Sequence, residues 1–164
     1  MPIIHAPEAA KNPSSQLRAV LRWLDALTTS HDADQLMSVL TDDYTHHHFP
    51  KSTGLPSYKK LDFVEYAQRI LMPALAEYNT TILKVIENED QVVVHIISDA
   101  CSVTGNSFTS ELMMFAHVVP QLDGEFKIKT MSEFIDSDLV KTFYFAEVKR
   151  IEAVAAAKVA TSTK

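Results

Sequence analysis

The sequence predicts an α+β domain in which a cone-shaped, curved antiparallel sheet is covered by three to four helices and encloses a pocket. Before residue 80, apolar residues recur mainly at helical spacing, whereas the later chain is rich in β-branched and aromatic residues. The later runs are separated by short turn signals such as Asp123-Gly124, and short connections make neighbouring strands antiparallel. These observations predict a four-strand meander preceded by helices and one short first strand.

Two amphipathic helices are predicted near the start. Ser14 or Ser15 is expected to cap the first helix, in which leucines and valines form one apolar stripe. Asp32 is expected to cap a short second helix that continues through Leu40 and ends at Asp42-Asp43.

A short strand and a third helix are predicted next. Tyr44 to Phe49 favours an extended conformation that stops at Pro50. The third helix is predicted from about Leu61 to Tyr78. Pro73 lacks an amide donor and clashes with the preceding turn, so it should kink this helix or end it early.

The meander is predicted to bend. Its strands are expected at Thr80 to Glu87, Gln91 to Val103, Ser107 to Val119 and Glu125 to Ile135. Two of these runs span roughly 40 Å, at about 3.3 Å per residue. A compact chain of this size has nearly that diameter, so the strands must twist and curl, and the helices cover the concave side. Asp136 or Ser137 should cap a last helix.

The chain of 164 residues fits one domain. We expect this domain to span residues 14–151, with a flexible N-terminal arm at 1–13 and a fraying tail at 152–164. The net charge of -6 argues against a nucleic-acid or anionic-membrane partner. A single cysteine, Cys101, excludes an internal disulfide. The N-terminus lacks a secretory signal pattern and no run reaches about 20 apolar residues, so we expect a cytoplasmic protein.

Three segments taken in order resemble the nuclear transport factor 2-like superfamily: Val20 to Leu40, His46 to Pro50, and Ile128 to Asp136. Within it, the SnoaL-like branch of small polyketide cyclases, dehydratases and isomerases is the most similar. The likeness is one of pattern and order and covers about Ser14 to Phe145. It implies an acidic residue on the last strand that faces into the cone, and Glu133 stands at that position.

The resemblance also implies a partner His or Asp on the first strand or a middle strand. The matching candidates are His46, His48, Asp99 and His117. Asp99 either marks the pocket or lies where its strand curls out towards water, and His117 interrupts an apolar strand as a surface histidine also would.

Two environments are open for Glu133. Strict alternation places it with Met131 and Ile135, opposite Ile128 and Phe134, but both faces are partly apolar. Inside an apolar pocket its pKa would be raised, and it could exchange a proton near neutral pH. On the outer face it would pair with a strand lysine instead.

The histidine run Tyr44 to Phe49 invites a metal hypothesis, because His46 and His48 would point the same way on a strand. Two imidazoles form an incomplete site, since catalytic zinc takes three protein ligands. Glu111 or His117 could add one, but their spacing matches no metal motif. We therefore expect no metal, and favour a neutral histidine as general base.

The sequence supports two functions. The first is a cofactor-free enzyme that isomerises, dehydrates, cyclises or opens the epoxide of a small apolar or aromatic, polyketide- or terpenoid-like molecule. Glu133 would transfer the proton, and Tyr44 or Tyr66 would donate to an oxyanion. The second is a non-catalytic ligand-binding or dimeric adaptor protein. Candidate cavity residues, each of which could equally be ordinary core, are Trp23, Tyr44, Tyr66, Met113, Met114, Phe115 and Met131.

The strands VVVHII and LMMFAHVV are almost continuously apolar, so both faces of the sheet should be covered. Helices cover one face. We expect the other to meet a second copy in a two-fold homodimer.

Overall fold

The computed structural model describes residues 8–162, and it confirms the predicted α+β fold with its curved, mostly antiparallel sheet. The strands are β1 Leu40–Phe49, β2 Tyr58–Lys59, β3 Leu75–Glu87, β4 Gln91–Ser102, β5 Ser107–Pro120 and β6 Phe126–Phe134. They form one sheet in the order β2-β1-β6-β5-β4-β3. All neighbours are antiparallel except β1 and β6, which run parallel. The first strand thus lies beside the last.

Helices precede, interrupt and follow the strands. They are α1 Glu8–Lys11, α2 Ser15–Thr28, α3 Ala33–Ser38, α4 Lys60–Tyr66, α5 Met72–Ala74, α6 Ser137–Leu139 and α7 Phe145–Ser162. A π-helical turn, Ala67–Leu71, joins α4 to α5, and another, Val140–Tyr144, joins α6 to α7. No helix among the described residues is long and apolar enough to cross a lipid bilayer.

Side-chain caps start three of these helices. Ser14 accepts a hydrogen bond from the amide of Leu17, Asp32 from that of Gln35, and Asp136 from the two amides that follow Ser137. Each cap satisfies an amide that has no partner inside its helix. The predicted caps at Ser14, Asp32 and Asp136 are therefore the ones that the fold uses.

The ends of the chain differ from the expected arm and tail. Residues 8–11 form a helical turn, and residues 1–7 of the predicted arm lie outside the described residues. Helix α7 continues to Ser162 through most of the expected tail, and residues 163–164 also lie outside the described part.

Two predicted helices are too long. The second ends at Ser38, because Leu40 already pairs with Ile128 of β6. The third ends at Ala74, one residue after Pro73, as the proline's missing amide donor predicts. Tyr78, predicted to be helical, is part of β3 and pairs with Ala100. In both places strand pairing overrides helical periodicity.

A bulge in β6 decides which side chains face the helices. Thr130 pairs with His117 and Ile128 with Val118, so Lys129 is an extra residue without an opposite partner. Ile128 and Met131 are consequently both buried, although they are an odd number of residues apart. The prediction that these two lie on opposite faces is wrong for this reason. Glu133 lies on the concave face with Met131, and Phe134 points outwards.

The concave face and the helices share one apolar core. Helix α2 packs its stripe of Leu17, Val20, Leu24 and Leu27 against buried residues of the sheet, which include Val92, Val94, Ile96, Met114, Ala116 and Ile128. Towards the other end of the sheet, α6 and α7 cover the concavity instead.

Glu147 connects α7 by hydrogen bonds to the end of β4 and the turn that follows it. Its buried carboxylate accepts hydrogen bonds from the hydroxyls of Ser102 and Thr104, from the Asn106 amide at 3.1 Å, and from Arg150 at 3.1 Å. Burial by itself raises the pKa of this carboxyl, but these donors lower it further than burial raises it. The ionised form is thus the one that holds the helix.

We expect Glu147→Gln to lower the free energy of unfolding by about 2 kcal/mol at pH 7, because an amide cannot accept four donors. The folded pKa lies below the unfolded value. The extra stability of the wild type is therefore fully present above the unfolded pKa of about 4.5, and it is lost as the pH falls through the folded pKa of Glu147. Urea unfolding at pH 7 and pH 4 measures both effects. Glu152→Gln, an exposed change on the same helix, is the control, and an equal loss there would contradict the role of Glu147.

Candidate active site

A largely apolar cavity of about 210 Å³ lies between the concave face of the sheet and the helices. Its apolar walls include Trp23, Leu24, Phe63, Leu71, Ile96, Leu112, Met114, Val140, Phe143 and Ile151. A smaller set of polar side chains interrupts this wall: Thr28, His48, Tyr66, Tyr78, Ser102, Ser110, Glu133, Asp136, Tyr144 and Glu147. This composition is typical of sites that bind a small apolar molecule and orient it by a few polar contacts.

Three of the predicted catalytic residues meet at one point. His46 and His48 project to the same side of β1, and the parallel register places Glu133 of β6 directly beside His48. The His46 Nε2 atom lies 3.2 Å from His48 Nε2 and 3.4 Å from Glu133 Oε2, and His48 Nε2 lies 3.6 Å from the same oxygen. Both imidazoles are buried, and the carboxylate is 18% exposed. We call these three residues the triad.

Neighbouring groups fix both rings. The Nδ1 atom of His48 lies 3.0 Å from the carbonyl oxygen of Pro56, and the Nδ1 atom of His46 lies 2.8 Å from the Tyr44 hydroxyl. The His46 ring stacks on Phe63, with 4.2 Å between centroids and 14° between planes. Each imidazole therefore has one nitrogen tied to its surroundings and Nε2 turned towards the triad.

The positions of the protons follow from these partners. A carbonyl only accepts, so Nδ1 of His48 carries a proton and its Nε2 carries a lone pair. A carboxylate also only accepts, so we assign the shared proton to Nε2 of His46, which has two acceptors in reach, His48 Nε2 at 3.2 Å and Glu133 Oε2 at 3.4 Å. The Tyr44 hydroxyl then donates to Nδ1 of His46. With His48 neutral and Glu133 ionised, the Nε2–H of His46 is the one proton between two acceptors, His48 Nε2 and Glu133 Oε2.

Electrostatics favours the same state. Burial raises the pKa of Glu133, but the hydrogen bond from His46 and the nearby imidazoles outweigh it and lower the pKa below the ordinary value. Burial lowers the pKa of His48, and the charge of Glu133 only partly offsets this. Of the two environments left open for Glu133, the structure shows the cavity, but the pKa there is lowered and not raised, because the histidines beside the carboxyl favour its ionised form.

A pair of tyrosines faces the same cavity. The hydroxyls of Tyr66 and Tyr144 are in hydrogen-bond contact, and Tyr58 stacks on Tyr66 with 4.8 Å between centroids. Burial raises the pKa of both hydroxyls, and the neighbouring tyrosine raises that of Tyr66 further. Both stay protonated at neutral pH. Since one donates to the other, the second retains an O–H that can donate to a bound molecule.

Several predicted site residues lie on the opposite face of the sheet. Strands β4 and β5 pair without a bulge, so their side chains alternate strictly and the odd-numbered ones point away from the cavity. Asp99 is exposed and accepts a hydrogen bond from the Thr109 hydroxyl. The Nε2 atom of His117 lies 3.7 Å from Oδ2 of Asp90. Of the alternatives left open for these two catalytic candidates, the structure shows the solvent-facing one for both, so neither Asp99 nor His117 belongs to the pocket.

The same alternation shows that two of the predicted cavity residues do not line the cavity. Met113 and Phe115 project from the outer face, and Met114 between them lines the cavity. Tyr44 and Met131 are buried in the core beneath the cavity and do not line it.

Trp23 and Tyr66 do line the cavity. Tyr144 and Pro56 were not among the predicted site residues. Tyr144 belongs to the last helical segment, whose apolar pattern predicts a helix but not its position over the cavity.

The chain was compared with known proteins. The model of the SnoaL-like domain family matches residues 20–127, about two thirds of the chain. This range contains both histidines of the triad and ends before Glu133. No curated protein sequence matches the chain significantly.

Solved structures with a similar fold include the BvnE pinacolase of Penicillium brevicompactum, which is 21% identical and has a TM-score of 0.65, with 85% of this chain and 96% of that chain covered. AusH of Aspergillus nidulans is 20% identical over 77% and 86% of the two chains, with a TM-score of 0.63. A hexachlorocyclohexane dehydrochlorinase, LinA type 2, is 15% identical over 74% and 84%, with a TM-score of 0.62. These structures share the fold, and the family match shows that this chain belongs to the SnoaL-like domain family.

Proposed function

We propose that this protein is an enzyme that moves a proton on a small apolar or aromatic molecule by side-chain acid/base catalysis, in an isomerisation, elimination or cyclisation. The observation that carries this proposal is the lone pair on His48 Nε2. His48 lines the apolar cavity, the Pro56 carbonyl 3.0 Å from Nδ1 fixes the proton of the neutral ring on Nδ1, and burial lowers the pKa of the ring so that the neutral form is favoured.

The triad gives each residue a separate part. His48 Nε2 takes a proton from the substrate, so that a C–H or O–H bond breaks and an N–H bond forms. The ionised Glu133, 3.6 Å away, stabilises the imidazolium that results. His46 does not line the cavity, and its contacts with Glu133 and Tyr44 make it a positioning residue. The proton donor or acceptor is thus His48, where the sequence alone favoured Glu133.

The tyrosine pair supplies the complementary group. Proton abstraction next to a carbonyl leaves negative charge on oxygen, and a preorganised O–H donor stabilises that charge. The free O–H of the Tyr66–Tyr144 pair faces the cavity that His48 also faces. Similar folds occur in a pinacolase and in a dehydrochlorinase, which is consistent with a rearrangement or an elimination.

We expect His48→Ala to lower the rate of a model proton abstraction by about 10²-fold or more, because the variant lacks the base. The probe is a nitrobenzisoxazole. Loss of its C–H proton breaks the N–O bond and releases a coloured phenolate, so the reaction needs only a base in an apolar pocket. The rate of increase in absorbance, measured over a range of probe concentrations from limiting to saturating, gives kcat and KM.

His47→Ala is the matched control for this experiment, since His47 lies on the same strand but points the other way and contacts Ser57. An unchanged rate in His48→Ala would contradict the proposal, as would a wild type no faster than buffer. In that case a wild type that binds the probe without converting it would support the ligand-binding alternative.

We expect Glu133→Gln to lower kcat for the same probe by about 10- to 100-fold with little change in KM, because the amide keeps the shape but not the charge that stabilises the imidazolium. Glu111→Gln is the control. Glu111 contacts His95 at 2.7 Å on the outer face, so the variant removes a similar carboxylate-histidine pair far from the cavity. A change confined to KM would indicate that Glu133 binds the substrate instead.

We also propose that the protein is a homodimer through the outer face of the sheet. Phe49, Phe134, Met113 and Phe115 form an apolar strip across three adjacent strands, in which Phe134 is 53% and Phe115 40% exposed. A strip of this kind on a sheet face is self-complementary about a two-fold axis, and homodimer interfaces are more apolar than ordinary surface.

Phe134→Ser should therefore shift the mass measured by light scattering from two copies towards one, at micromolar concentration. Leu61→Ser removes an even more exposed apolar side chain from α4, outside the strip, and should leave the mass unchanged. A monomeric wild type would refute the dimer, and so would a Phe134→Ser protein whose mass equals that of the wild type.

A further inference from the structure

The triad is also a complete set of ligands for a transition metal. We propose that His46, His48 and Glu133 bind one divalent cation of the Zn²⁺ type, with an open coordination position that faces the cavity. This inference does not depend on the proposed function. It rests on the distances within the triad, on the groups behind its rings and on the cavity in front.

The first argument is geometric. The three ligand atoms form a nearly equilateral triangle with sides of 3.2, 3.4 and 3.6 Å. A triangle of this size has a point about 2.0 Å from all three corners, which is the usual length of Zn–N and Zn–O bonds. A metal near this point would bind all three atoms without any movement of the main chain. The third ligand comes from β6, so the spacing of the histidine run alone left the set incomplete.

The second argument concerns the groups behind the ligands. A histidine that binds a metal usually donates its other ring N–H to a carbonyl, a carboxylate or another acceptor, which fixes the ring and its tautomer. His48 already donates Nδ1–H to the carbonyl of Pro56. The Tyr44 hydroxyl lies 2.8 Å from Nδ1 of His46 and can rotate to accept. Both rings therefore have the outer partner that a metal ligand needs.

The third argument concerns access and metal type. His48 and Glu133 line the cavity, whereas His46 lies behind them, so a bound cation would have its free side towards the cavity. That side would take a water or an oxygen of a bound molecule. Two imidazoles and one carboxylate suit Zn²⁺, Co²⁺ or Fe²⁺ better than Mg²⁺ or Ca²⁺, which prefer oxygen ligands.

Metal binding and base catalysis would exclude one another. The cation takes the lone pair of His48 Nε2, and it requires the tautomer of His46 that carries its proton on Nδ1. No proton is lost in that change, because the proton moves from one nitrogen of His46 to the other while the Tyr44 hydroxyl turns from donor to acceptor. The metal-bound protein would therefore be inactive as the base proposed above.

Titration of the chelator-treated, full-length protein with Co²⁺ tests the site. We expect visible absorption bands whose intensity saturates at one Co²⁺ ion per chain. These bands should disappear when Zn²⁺ displaces the Co²⁺. His46→Ala and Glu133→Gln should each weaken Co²⁺ binding at least tenfold. His95→Ala and His117→Ala remove histidines that contact carboxylates on the outer face, and they should bind as the wild type does.

Because His46 is buried, circular dichroism checks that each variant is folded. Glu133→Gln, the milder change, decides the result if His46→Ala does not fold. Saturation without a 1:1 stoichiometry overturns the site, and so does binding that survives Glu133→Gln or disappears in His95→Ala. The readout needs no turnover. A protein that binds no metal but loses the nitrobenzisoxazole reaction in His48→Ala would refute this inference and leave the proposed function standing.

Discussion

The parallel pairing of β1 with β6 is the constraint on which the site depends. It brings a strand from the first third of the chain beside the last strand, in the register that sets His48 opposite Glu133 and His46 opposite Met131. Because β6 is also held by β5, a shift of β1 by one residue would turn His46 and His48 to the outer face, since side chains alternate along a strand. The triad thus exists only because β1 and β6, which are far apart in the sequence, pair in this one register.

The bulge at Lys129 completes this arrangement. Without the extra residue, Ile128 and Glu133 would lie on opposite faces, so that only one of the two could face the helices. With it, Ile128 packs in the core near α2 and Glu133 reaches the cavity. The same strand therefore serves the core at one end and the site at the other, while Phe134 stays on the outer strip.

Local signals predicted much of the fold, because they act over a few residues. The hydroxyl of Ser14, the carboxyls of Asp32 and Asp136 and the missing amide of Pro73 all have the effects that their chemistry dictates. Neither the pairing of β1 nor the bulge leaves such a signal. The position of Asp99 was left open between pocket and solvent for a related reason: its apolar neighbours do not reveal which face is buried. The lowered pKa of Glu133 depends on His46, 87 residues earlier in the chain, and sequence reasoning could not supply that contact.

The two histidines of the triad differ in what lies behind them, and this difference gives them different parts. A backbone carbonyl only accepts, so Pro56 holds the neutral His48 ring in the tautomer that has its proton on Nδ1 and its lone pair on Nε2. A hydroxyl both donates and accepts, so Tyr44 allows His46 to present either an N–H or a lone pair. With the N–H, His46 can donate to Glu133, as the proposed base catalysis requires; with the lone pair, it can complete the proposed ligand set. The two proposed states would thus differ in the rotation of one buried hydroxyl, and the fold itself need not change.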